Sequence, residues 1–132
     1  MPKKRFYTLS FTWGLPLTLV GVVVGLFLRL MGVKPTRFGP CLCFGVRGDW
    51  GLNLGPVILC AKDADDDLKS HEFGHAIQNT RFGPLMLILV LCSAARFHDR
   101  DRRARRGESL PPYDSWWFEG QATRLGAKYI VD

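Results

Sequence analysis

Residues 69 to 79 read KSHEFGHAIQN, with His71 and His75 four apart and Glu72 directly after the first histidine. On a helix, positions i and i+4 lie one above the other, so the two imidazoles can be aimed at a single cation. The carboxylate between them sits beside that face, close enough to take a proton from a water there without ligating the metal. His71 and His75 are therefore candidate zinc ligands and Glu72 a candidate general base.

A catalytic zinc takes three protein ligands and leaves a fourth position open. A histidine six residues beyond the second, preceded by a glycine, is excluded as the third, because Gln78 and Arg81 occupy those two positions. The remaining common source is a glutamate on a later helix. Glu119, in WWFEGQATRLG, is the candidate, since an unpaired carboxylate in so apolar and aromatic a segment would be costly. Glu108 and Asp114 lie in a Pro/Gly-rich turn and read as solvated, and His98 lies among arginines.

The elements that must position these residues follow from the flanking sequence. Asp63, Asp65, Asp66 and Asp67 crowd the start of a helix running from near Asp66 to about Thr80, where acids favour the positive end of the dipole, and Gly83-Pro84 ends it. A calcium loop is excluded, because the glycine and terminal glutamate it needs are missing. Leu85 to Ala95 is apolar on every side and must face a core or lipid. The last segment, WWFEGQATRLGAKYI, reads as a helix. Upstream, the stretches Cys41 to Val46 and Leu52 to Cys60 flank RGDWG, which predicts a β-hairpin with the RGD tripeptide as turn chemistry. The expected fold is mainly α with a small β-hairpin. Cys41, Cys43, Cys60 and Cys92 contain no C-x-x-C pair, which removes zinc-ribbon and thioredoxin-like readings; Cys92 is expected to be a buried thiol.

At 132 residues, the chain supports one modest core, so a site must be built by most of it. From Phe6 to Leu28 there is no charged residue, a run long enough to cross a bilayer, and its basic far end, RLMGVKPTR, does not resemble a cleavage site. Residues 1–31 are thus expected to form a basic flank and a single-pass membrane anchor. The net charge of +6 comes largely from the cluster Arg96, Arg100, Arg102, Arg103, Arg105 and Arg106, offset by Asp99 and Asp101. Next to an apolar segment this suits anionic lipid headgroups, and no specific nucleic-acid partner is expected. Basic residues flank both ends of the anchor; the arginine cluster and unpaired cysteines favour a cytoplasmic site.

HEFGH followed by FEGQAT resembles the gluzincin pattern of zinc metallopeptidases, especially the membrane-bound branch with the CAAX prenyl and heat-shock membrane proteases. The chain is also similar, over nearly all of its length after the anchor, to small bacterial membrane proteins carrying HEFGH-x-x-Q. The resemblance implies a minimal zincin-like catalytic domain over residues 32–132, one Zn2+ held by His71, His75 and Glu119, Glu72 as base, and a peptide or membrane-protein substrate. The family pattern has an aspartate where Thr123 stands, hydrogen-bonded to a histidine ligand; Thr123, Gln78 and Asp114 are the candidates for that supporting role. A strand of the hairpin is expected to pair with extended substrate, Gly74 to thin the exposed side of the active helix, and Tyr113, His98 or Arg124 to donate to an oxyanion. A zinc protein without catalysis and a metal-free lipid adaptor are the competing readings.

One topological demand remains. The histidines precede Leu85–Ala95 and Glu119 follows it, yet all must meet at one ion. At 1.5 Å per residue that stretch reaches about 17 Å, short of a hydrocarbon core about 30 Å thick, so a re-entrant or packed helix is expected.

Overall fold

A computed structural model describes residues 1–130. The apolar N-terminal run forms two helices, α1 (Lys3–Ser10) and α2 (Leu15–Leu30), bent by 96° at the break between them. The expected single anchor helix is therefore corrected: no single helix among the described residues is long and apolar enough to cross a membrane, although the bent pair passes together by length and composition. The bend combines a local break with a clamp from a distant residue. Gly14 caps α2, Pro16 occupies its first turn, and a Cβ at Gly14 would lie 2.6 Å from Asn79 Nδ2. Asn79 Nδ2 donates to Gly14 O at 3.2 Å and Thr18 Oγ1 donates to Ser10 O at 2.6 Å, so the Ser10 and Gly14 carbonyls freed at the corner are paired.

Four strands follow: β1 (Thr36–Phe38), β2 (Cys41–Val46), β3 (Gly51–Leu54) and β4 (Val57–Ala61), in the order β1-β2-β4-β3. β2 and β4 run parallel, with Gly45 opposite Cys60, while β3 and β4 are antiparallel, with Leu54 opposite Val57. The expected hairpin across RGDWG is thus wrong. That segment links two strands that do not touch, and the tight turn is at Gly55-Pro56, inside the stretch read as one strand. The reason lies in the residues. Gly55 takes φ 69°, and Asn53 clamps it, accepting from Gly55 N at 2.8 Å and donating to Gly55 O at 2.7 Å. β4, VILCA, is apolar on both faces and buried throughout, so it takes an inner place in the sheet. β3 is left at the edge.

The helix carrying the histidines, α3, spans Asp66–Phe82; Asp65 caps it by accepting from Leu68 N at 2.9 Å, and Gly83, at φ 59°, ends it. Leu85–Ala95 is the first half of a longer helix, α4 (Leu85–Arg105), which includes the arginine-rich stretch. Nothing between Ala95 and Arg105 breaks a helix, and alanine and arginine are good formers. A short 3-10 turn at Tyr113–Ser115 leads into α5 (Trp117–Ile130). The fold is mainly helical with a small mixed sheet, as the expected class had it in outline.

Two apolar clusters fix the arrangement. On one face of the sheet, Cys41, Cys43, Ile58 and Cys60 pack with Phe6 of α1, Phe73, Ala76 and Ile77 of α3, and Leu125 of α5. On the other, Phe44, Leu54, Val57 and Leu59 pack with Leu17 of α2, Met86 of α4 and Phe118 of α5. α2 lies so close that a Cβ at Gly21 would come within 2.1 Å of Leu54 O. Cys92, expected inside, is exposed on the outer face of α4.

Candidate metal centre

Helices α3 and α5 cross with their backbones in contact. A Cβ at Gly74 would lie 1.8 Å from Ala122 O, and one at Gly126 would lie 1.9 Å from Ser70 O, so only glycine fits at either point. Gly74 therefore does not thin an exposed side of the helix, as expected, but is buried at the crossing. The contact carries Glu119 across to the two histidines.

Glu119 Oε2 lies 2.9 Å from His71 Nε2 and 2.9 Å from His75 Nε2, and the three ligand atoms fall within 4.8 Å of one another. The other ring nitrogens settle the tautomers. Gln78 Nε2 donates to Phe118 O at 2.9 Å and to Gln121 Oε1 at 2.9 Å, which turns its Oε1 toward His75 Nδ1, 2.7 Å away. Thr123 Oγ1 donates to Glu119 O at 3.2 Å and is 2.9 Å from His71 Nδ1. Each Nδ1–H thus donates to an oxygen, which leaves each Nε2 directed at the shared Glu119 oxygen, where it donates when it carries a proton and offers a lone pair when it does not.

Two imidazole nitrogens and a carboxylate oxygen converging on one point form a set that could hold a metal ion, and the donor types are those zinc takes. The other oxygen is held separately. Glu119 Oε1 accepts from Ser93 Oγ of α4 and from Tyr113 Oη, the latter at 3.4 Å. Burial opposes ionisation of Glu119, but the hydrogen bonds to His71 and His75 outweigh it and hold the carboxyl well below its usual range. Burial also opposes charge on His75, and contact with Glu119 and Glu72 outweighs it, so its pKa is raised.

Glu72 sits beside this cluster without joining it, 5% exposed, with its carboxylate against the edge strand: a Cβ at Gly51 would lie 2.9 Å from Glu72 Oε1. Burial raises its pKa, only partly offset by His75 and His71. A cleft of about 170 Å³, lined by Trp50, Leu52, Val90, Ala94, Phe97 and Phe118, opens onto Glu72, His71, His75 and Glu119. That volume exceeds the ~30 Å³ share of one water and falls short of the ~300 Å³ of pockets for drug-sized ligands, so it suits a side chain or short segment. A second cleft continues from it past His71 and Glu72 to Asp49, Leu68 and Thr123.

The structure brings together His71, Glu72, His75 and Glu119, with Gln78 and Thr123 as the partners of the two Nδ1 atoms. Asp114 is exposed in the 3-10 turn, lines only the second cleft, and touches neither histidine. Tyr113 lines both clefts, whereas His98 and Arg124 are exposed and line neither. The arginine cluster divides. Arg96 lies over the Tyr113 and Trp116 rings, at 4.9 and 5.5 Å from their centroids, and Arg100 lies over Tyr113 at 5.4 Å, so these two support the site's rim rather than facing lipid as expected. Arg103 pairs with Glu108 at 3.3 Å and Arg105 with Asp101 at 3.1 Å, while Arg102 and Arg106 are exposed.

Sequence reasoning missed Ser93 and Gly51. Ser93 carried no signal in an apolar run. Gly51 lay at the end of a segment assigned to a turn, and nothing in the sequence placed it against Glu72. The helical glycines Gly74 and Gly126 were the legible sign of a close crossing, since each costs a helix about 1 kcal/mol relative to alanine. No protein-family model, curated protein or solved structure significantly matches the chain, so the site stands on its own geometry.

Proposed function

We propose that the protein is a zinc-dependent peptidase. The observation that carries this reading is the convergence of two imidazole Nε2 atoms and a buried carboxylate oxygen, with a second buried carboxylate, Glu72, beside them and outside that set. His71, His75 and Glu119 would hold the metal, with Thr123 and Gln78 orienting the rings. Zinc, when bound, supplies Lewis acidity toward a carbonyl and acidifies water.

Glu72 is the proton carrier. Its raised pKa suits it to accept a proton from the attacking water and return it to the leaving amine. Gly51 sets the position of its carboxylate. The edge strand β3 pairs with β4 on one side and lines the cleft from Trp50 to Asn53, which suits binding of an extended peptide by main-chain hydrogen bonds. The two connected clefts flank Glu72 as a continuous chain would require. Tyr113, lining both, is the candidate donor to a developing oxyanion.

The test is metal analysis and peptide hydrolysis on the same preparations. One equivalent of zinc is expected in the wild type and in Glu72→Gln, and little in His71→Ala or Glu119→Ala. Hydrolysis is expected in the wild type alone. Protein that binds no zinc when purified without chelators would defeat the reading, and zinc-loaded protein inactive on unfolded peptide libraries would reduce it to a non-catalytic zinc protein.

A further inference from the structure

α2 has two apolar faces. Leu17, Gly21 and Gly25 face the sheet, while Leu19, Val20, Val23, Leu26, Phe27 and Leu30 form an exposed stripe at helical spacing. α4 repeats the arrangement: Met86 is buried, and Leu85, Ile88 and Leu91 point outward. The two helices start side by side, where Trp13 packs on Gly83 and donates to Arg81 O at 3.0 Å, and both contribute to the same core cluster. Exposed apolar patches this continuous mark an interaction surface.

We infer that the outer faces of α2 and α4 seat the protein on one leaflet of an anionic bilayer, with basic side chains meeting the headgroups. Charge complementarity selects lipid as the occupant. The stripe on α2 contains no charged residue and has Arg29 beside its last member, and α4 runs from its apolar turns into exposed Arg102 and Arg106, with Asp99 and Asp101 as the only acids on that helix and Asp101 paired with Arg105. An apolar face edged with arginine is the pattern of an interfacial helix.

Geometry selects docking over spanning. α2 has 16 residues, about 24 Å at the usual rise, against a hydrocarbon core of about 30 Å. Its inner face is occupied by the sheet, with a Cβ at Gly25 coming within 3.3 Å of Phe44, so a crossing α2 would drag the sheet into the bilayer. Docking also gives the site an orientation. Val90, Ala94 and Phe97 line the cleft from the same helix that turns Leu85, Ile88 and Leu91 outward, so the cleft lies about one helix diameter from the leaflet. This inference does not rest on the peptidase reading, because lipid binding needs neither zinc nor hydrolysis.

The test is flotation of the full chain with phosphatidylcholine vesicles, with and without phosphatidylglycerol, alongside analytical ultracentrifugation. Binding is expected to both, stronger with phosphatidylglycerol and weakened by salt. Val23→Ser combined with Phe27→Ser is expected to lower partitioning at least about tenfold with unchanged far-ultraviolet circular dichroism. Arg102→Gln with Arg106→Gln is expected to remove only the phosphatidylglycerol preference. In a Cys92→Ser background, Lys4→Cys and Lys34→Cys are both expected to react with an impermeant maleimide added outside vesicles. Labelling at only one of the two would overturn docking in favour of a span. A concentration-dependent dimer that binds no vesicles and is dissociated by the serine pair would assign the face to a second copy instead.

Discussion

Gly74 on α3 and Ala122 on α5 are in backbone contact, with no room for even a methyl group between the helices. That contact fixes how far Glu119 reaches toward His71 and His75. Gly74→Ala must push the helices apart, and overpacking at a buried crossing costs about 3 kcal/mol. The expected outcome is a lower Tm with loss of zinc stoichiometry, whereas Gly32→Ala, where a Cβ meets no neighbour but φ 89° strains an alanine, is expected to lower Tm and leave zinc unchanged. Calorimetry with metal analysis checks both.

The histidine tautomers depend on Gln78 and Thr123. Removing either partner frees the ring to rotate or to protonate the wrong nitrogen, and supporting groups of this kind are worth about 10–100-fold in metal affinity. Thr123→Val and Gln78→Leu are expected to weaken zinc binding in that range, measured by competition with a chromophoric chelator. Thr123→Asp, which restores an acceptor, is expected to hold affinity nearer the wild type than Thr123→Val.

Glu72 owes its position to Gly51. In Gly51→Ala the new Cβ would stand 2.9 Å from Glu72 Oε1 and displace the carboxylate without touching the three ligand residues. A small misplacement of a catalytic group can cost about 100-fold in rate. The expected result is a fall in kcat with zinc content intact; a fall in zinc content instead would show that the strand supports the ligands.

Ser93 binds the oxygen of Glu119 that faces away from the histidines. Ser93→Ala leaves that buried oxygen with Tyr113 alone, and a lost hydrogen bond to a charged group costs about 1.5–3 kcal/mol. Zinc affinity is expected to fall at least about tenfold, and Ser93→Thr is expected to restore most of it.

The cysteines differ in reactivity. Burial and the neighbouring Cys60 push Cys43 up to about 11, and burial raises Cys41 and Cys60 as well, whereas Cys92 is exposed. The thiolate is the reactive form, so iodoacetamide at neutral pH is expected to modify one cysteine, and none in Cys92→Ser. Mass spectrometry of native and denatured protein counts the sites; modification of Cys43 in the native state would contradict its burial.

The sequence by itself determined the helix of His71 and His75, because Asp65 and Gly83 are strong local signals at its two ends. It also singled out Glu119 as the carboxylate to meet the two histidines, since a carboxylate in so apolar a segment needs a partner. Tertiary structure decided what depends on contacts distant in sequence. Strand order followed from Gly55 turning the chain and from β4 being apolar on both faces. The bend between α1 and α2 followed from Asn79 reaching back to Gly14 across 65 residues. Glu72 met Gly51, and Ser93 met Glu119, only because α3, α4, α5 and the edge of the sheet converge. Local propensity is carried by neighbouring residues, whereas a site assembled from four elements depends on packing that no single stretch of the chain encodes.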